Sequence, residues 1–129
     1  MGIDIYAKWR KMTKAEEKAQ YKGFTIDIDN GSAGYLREAY HGEPYATQFF
    51  VKEAFDGEAK IPADVLVSRL PETVRILVER AKKVYEWDGS NIEQTKWLAA
   101  EIESYASFAR LCAEKEEKFG EPTEIIASY

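Results

Sequence analysis

Phe119-Gly120-Glu121-Pro122-Thr123-Glu124-Ile125-Ile126-Ala127-Ser128-Tyr129 closes the chain, and its reading decides the fold. Gly120 and Pro122 stop whatever helix precedes them, because glycine takes the left-handed backbone of a helix end and proline cannot continue a helix. The β-branched and aromatic residues beyond Pro122 read as a strand. A strand at the end of the chain is expected to return and pair beside an earlier one, which ties down the C-terminus.

Working back from Gly120, the pattern runs without a breaker to Ser90-Asn91-Ile92-Glu93, a capping-box sequence. A continuous helix over this stretch is about 43 Å long. Leu98, Ile102, Tyr105, Ala109 and Cys112 fall on one face, widened by Phe108 and Leu111, while Lys115 and Lys118 suit the helix dipole. Before the Asp88-Gly89 break, Val74, Leu77, Val78, Ala81 and Tyr85 form a second apolar stripe at helical spacing. Pro71 is placed to start that helix, after a shorter helix from Pro62 to about Leu70. Trp87 and Trp97 flank the turn between the two long helices and are expected to pack the hairpin.

The first half of the chain is richer in strand signals. Ile3, Ile5, Ala7 and Trp9 share one face of an opening strand. Thr13-Lys14-Ala15-Glu16 is a capping box for a short, highly charged surface helix that Gly23 can end. Phe24 to Ile28 alternates as a second strand, and Asp29-Asn30-Gly31 is a turn signal. Residues 34–39 favour a strand, with a short helix as the alternative. Tyr45 to Val51 is bulky and β-prone, and Glu53-Ala54-Phe55 reads as a turn or a single helical turn. Together these elements give one α+β domain over residues 1–129: a small, mainly antiparallel sheet covered by two long C-terminal helices, with a final C-terminal strand.

Composition narrows the function classes. The net charge of −5 argues against a DNA or RNA partner, which calls for a basic face. Lys8, Arg10, Lys11, Lys14, Lys18 and Lys22 nevertheless concentrate positive charge near the start, where a solvated surface is the plainer reading and attraction of a small anion the sharper one. The longest apolar run falls short of a membrane span and Met1-Gly2-Ile3-Asp4 lacks signal-peptide character, so no membrane partner is expected. Cys112, the one cysteine, fits a reducing cytoplasm and reads as an inert core thiol. No cofactor is expected, and without a second Cys or His only an all-carboxylate metal site stays open. Asp27 and Asp29 are spaced for one, although a solvated turn is the plainer reading.

The chemistry concentrates in residues 31–46, which hold Gly31, Gly34, Gly42, Tyr35, Tyr40, Tyr45, Pro44 and the single histidine, His41. Arg37 can grip a carboxylate or phosphate through two parallel hydrogen bonds, with Tyr35 and Tyr40 as stacking surfaces and Tyr45 close by; a salt bridge to a nearby acid is the structural alternative. His41 is the default proton-transfer group, and Glu38 or Glu43 can orient it. Tyr6, Trp9 and Arg10 join this group if the first strand neighbours residues 34–39. Gly31, Gly34 and Gly42 do not make a phosphate loop, and Ser32 lacks a nucleophile elbow.

The opening Met1-Gly2-Ile3-Asp4-Ile5-Tyr6 and the later Tyr35-Leu36-Arg37-Glu38-Ala39, with His41 after it, resemble small bacterial and phage proteins of unknown function. Those proteins open Met-Gly-(Leu/Ile)-Asp-(Met/Ile)-Tyr and carry a Tyr-x-Arg-(Lys/Glu)-Ala segment. The resemblance implies a bacterial or phage setting and no activity. The expectation from sequence is a non-enzymatic domain binding a small anionic, nucleotide-like ligand, in a phage setting a sequestration protein. The alternatives are an acid–base hydrolase using His41 with Glu38 or Glu43, and a protein-interaction or self-assembling domain, a possible homo-oligomer.

Overall fold

Four strands, each antiparallel to its neighbours, form the sheet. The computed structural model describes residues 2–57 and 59–129; Met1, which begins the opening motif, and Glu58 lie outside the described residues. β1 (Gly2–Lys8) is central, flanked by β2 (Tyr35–Ala39) and by β4 (Thr123–Ser128), and β3 (Ala59–Ile61) pairs with the outer side of β4. The final strand thus returns beside the first, with Ile5 opposite Ala127. α1 (Lys14–Ile26) and α2 (Ala46–Phe50) are short, whereas α3 (Ala63–Tyr85) and α4 (Ile92–Phe119) are the two long helices.

Alternation along the strands decides which face meets the helices. Ile3, Ile5 and Ala7 of β1, Leu36 of β2, Ile61 of β3 and Ile125 of β4 are buried in one hydrophobic cluster with Leu66, Leu77 and Ala81 of α3 and Leu98, Phe108 and Cys112 of α4. Phe50 of α2 fills the end of this layer, its ring 5.2 Å from Tyr105 and 6.0 Å from Phe108. Trp9 continues the β1 face and packs at the margin of the cluster. On the opposite side of the sheet Tyr6 and Tyr35 stand together, ring centres 5.3 Å apart. That side is not left free, because α1 crosses the β1–β2 end of it and Gln20 donates to the Ala7 and Gly34 carbonyls.

Several local expectations are corrected. Gly23 does not end α1, and residues 24–28 form no strand; the helix continues to Ile26 and stops at Asp27, which takes the left-handed cap conformation. Gly23 is there for close approach, since a Cβ would come within 2.7 Å of the buried Tyr35 ring. Tyr45 to Val51 is not a strand either. The Glu38 carboxylate accepts from the Ala46 and Thr47 amides and starts α2 there, overriding the β propensity of the stretch. Pro71 lies inside one continuous α3 instead of opening a new helix; it sits on the outer face near exposed Val67, where the carbonyl a proline orphans can turn to water. Asn91, not Ser90, caps α4, accepting from Gln94 N at 3.0 Å, and Ser90 binds Asp88. β3, three residues long, offers too little alternation to be read in sequence.

Candidate functional site

β2 is an edge strand, and its free edge is where the polar side chains collect. Tyr35 exchanges backbone hydrogen bonds with Asn30 on that edge, so Tyr35, Arg37 and Ala39 all aim their backbone groups away from β1. The Asp29 carboxylate takes the Arg37 amide, and the Arg80 guanidinium takes the Ala39 carbonyl at 2.6 Å. The Arg37 carbonyl and the Ala39 N–H stay on the same edge without a partner among the described residues.

Two arginines hold the walls. Arg37 donates from Nη1 to Asp4 at 2.7 Å and pairs through Nε with Asp27, while the Tyr35 hydroxyl donates to the same Asp4 oxygen at 2.5 Å. Arg80, 2% exposed, faces Glu38 at 3.5 Å and donates to the Gly42, Pro44 and Ala39 carbonyls. It thereby pins the loop carrying Tyr40, His41 and Tyr45, and its guanidinium lies 5.0 Å from the Tyr45 ring centre and 5.7 Å from that of Tyr85. His41 Nδ1 meets the Tyr85 hydroxyl at 2.9 Å.

Between these walls lies a half-open cavity of about 240 Å³, bounded by residues 27–29, the β2 edge at 37–39, Arg80 and Tyr85 of α3, and Trp97, Ala100 and Glu101 of α4. Larger hollows, about 510 and 830 Å³ beside α1 and about 900 Å³ where α3 meets the end of α4, are shallow grooves lined mainly by exposed side chains. The smaller cavity differs because a buried acid lines it. Glu101 is 8% exposed yet makes no hydrogen bond or ion pair with any described residue. Trp97, one helical turn earlier on the same face, leaves its ring 44% exposed and packs edge-on to Tyr85 at 5.1 Å.

Burial sets the electrostatics. It raises Glu101 to about 8, with repulsion from Asp29 and Glu38 adding to it and Arg80 opposing. Asp29 is pushed up to about 7 by burial, against the Arg37 N–H that it accepts. The Tyr105 hydroxyl, one turn beyond Glu101, is buried without a partner among the described residues, and burial raises it further above its ordinary range. Among the described residues no group of three or more His, Cys, Asp or Glu is placed to hold a metal ion. No helix there is long and apolar enough to cross a membrane.

Of the nine residues singled out by sequence, Arg37 and Glu38 line this cavity. Tyr35 is buried behind Arg37, Tyr45 lies against Arg80, and Tyr40 and His41 pack farther out, on Tyr45 and on Tyr85. Tyr6 leans against Tyr35 but opens toward α1. Trp9 and Arg10 lie beyond the β1–β2 pairing, by α4's end, with Lys115 over the Trp9 ring and Arg10 paired to Glu121. Glu38 is occupied with α2, and Glu43 is exposed. Both hairpin tryptophans pack it as expected, Trp87 donating to Thr95 at 2.9 Å and Trp97 lying edge-on to Tyr85 of α3, and Trp97 lines the cavity as well.

Sequence reading missed Arg80, Glu101, Tyr85 and Trp97 as site residues. The signal for the first two was present: each is a charged residue at a core position of its helix, Arg80 between Leu77 and Ala81, Glu101 between Leu98 and Tyr105. Comparisons with protein-family models, curated proteins and solved structures return no match.

Proposed function

We propose that the chain is a non-enzymatic binding domain for a small, flat, hydrogen-bonding molecule that enters the cavity between the β2 edge and the α3–α4 hairpin. The observation that carries this reading is Glu101: a residue 8% exposed, lining a cavity, whose carboxyl has no hydrogen-bond partner among the described residues. Buried polar groups are otherwise satisfied within a fold, and one left open toward a hollow is the mark of a group reserved for a ligand. Trp97 offers a ring face to stack on, and the Arg37 carbonyl and Ala39 N–H offer an acceptor and a donor beside it.

Binding without turnover is favoured because the proton-transfer candidates are engaged elsewhere: Glu38 accepts three hydrogen bonds from α2, and His41 binds Tyr85. The small ligand and aromatic stacking expected from sequence are retained. The anion-gripping role given to Arg37 has less to stand on, since its guanidinium is matched by Asp4 and Asp27. An amide-resolved NMR screen of small heteroaromatic and guanidino compounds, nucleotides included, tests the proposal. Hits should move the Ala39 amide, the Ala100 amide and the Trp97 indole. Hits that move only α1 or the β3–β4 edge remove it.

A second reading, association with a partner or a second copy, is favoured by Tyr21, Phe24, Ile26 and Ile28, all more than 40% exposed along α1 and just after it. Light scattering of Phe24→Ser and Ile28→Ser against the parent chain tests it; an assembly that survives both substitutions does not use this patch.

A further inference from the structure

We infer that the group received at Glu101 is a planar cation of the guanidinium class, lying on Trp97 with its paired N–H donors on the Glu101 carboxylate. The inference rests on the cavity being a ligand site and adds the chemistry of the ligand. A carboxylate offers two parallel acceptors, and a guanidinium is the common group whose N–H fork matches them in one plane. Trp97 and Glu101 are four residues apart on one helical face, so a plane stacked on the indole can reach the carboxylate at its edge. The Arg37 carbonyl on the β2 edge is a third acceptor for the same head group.

Charge balance points the same way. Asp27, Asp29, Glu38 and Glu101 line the cavity against Arg37 and Arg80, and both arginines are turned to protein partners. The acids are therefore in excess. The groups facing Glu101 are Asp29 from the 27–30 segment, Glu38 from β2, Arg80 from α3 and Tyr105 from its own helix. Below about pH 7 this excess is relieved in the free protein by protons on Glu101 and Asp29, both raised by burial. A bound cation takes over that role and releases the proton. A guanidinium over an indole face adds a cation–π attraction that a neutral or anionic ring lacks.

The test is a titration of the whole chain at pH 8.5 with arginine, citrulline, agmatine and an N-acetylated, C-amidated arginine, following the Trp97 indole N–H in NMR spectra. Citrulline keeps the shape of arginine and replaces the cation by a neutral urea. The expected result is saturable binding of guanidino compounds, with citrulline roughly ten- to hundred-fold weaker than arginine. Glu101→Gln should abolish that preference with the amide spectrum otherwise unchanged, and Trp97→Ala should weaken agmatine roughly five-fold or more. Binding of the capped arginine as tightly as agmatine assigns the source to a polypeptide side chain; binding of agmatine or arginine alone assigns it to a free small molecule. Equal affinity for arginine and citrulline, or an unaltered preference in Glu101→Gln, overturns the guanidinium assignment and leaves the cavity reading standing. So does a nucleotide that saturates the Trp97 signal where guanidino compounds do not. Silence of the Trp97 signal toward every probe at millimolar concentration overturns both.

Discussion

Arg80 and Glu38 form a buried pair in which each side chain is 2% exposed, and almost every other bond they make is to backbone. A pair of this kind adds little net stability over an apolar substitute, but loss of one partner strands the other in a poorly solvating interior. Arg80→Met should therefore cost about 3–5 kcal/mol in urea unfolding, and Glu38→Gln in the same chain should recover part of that loss. If the double variant is no more stable than Arg80→Met, the buried charge is not the cause. Glu101 acts in the opposite direction. Its carboxyl is raised to about 8 in the fold, so between its ordinary value and about 8 the folded chain holds a proton that the unfolded chain has lost. Stability therefore falls as pH rises through this window, and Asp29, raised to about 7, adds to the slope. Melting temperature should decline from pH 5 to pH 8.5, and Glu101→Gln should flatten the decline and raise stability at the alkaline end. An unchanged slope in that variant would place the proton elsewhere. Because a cation must displace the same proton, agmatine should bind more tightly at pH 8.5 than at pH 6.5.

At the scale of elements, the site is held by a close approach that only glycine permits. The 3-10 turn Gly31–Ala33 lies flush on α4, where a Cβ on Gly31 would fall 1.8 Å from the Ser104 carbonyl oxygen. The neighbour is helix backbone and cannot yield, so Gly31→Ala should cost roughly 2–3 kcal/mol, with Ser104 Oγ also losing its bond to the Gly31 amide. At Gly120, the left-handed cap of α4, a Cβ would meet nothing within 4 Å, and the cost of alanine is limited to left-handed strain, about 1–2 kcal/mol. Equal melting temperatures for the two alanine variants would show that the turn can lift off α4. This contact fixes where residues 27–30 run, and so where Asp27 and Asp29 stand relative to β2. The α3–α4 hairpin supplies the facing wall, closed by the Trp87–Thr95 and Gln94–Tyr85 bonds.

For the whole molecule, one hydrophobic cluster spans all four strands and the two long helices, so ligand binding at the sheet edge reports on global unfolding. A guanidino ligand that binds only the folded chain should raise the melting temperature in proportion to the logarithm of its concentration, and the rise should vanish in Glu101→Gln. A rise of the same size in that variant would place the stabilising site outside the cavity.

The α+β class, the two long helices, the returning last strand, the Thr13 cap and the inward face of β1 follow from periodicity and stop signals, which are local and survive in any context. Arg37 and Glu38 were legible as residues of interest for the same reason, since they are the charged residues of a short strand beside the chain's one histidine. What tertiary structure decided is their partners. Residues 24–28 alternate like a strand but form the last turn and cap of a helix that Gly23 fits against Tyr35, and residues 45–51 become a helix because Glu38 waits at its start. Glu101 and Arg80 carry no local sign of their roles except a charge on a buried stripe. Whether such a charge is paired, as Arg80 is, or left open to a cavity, as Glu101 is, depends on residues far away in the chain, and only the packing of the sheet edge on the hairpin brings those together.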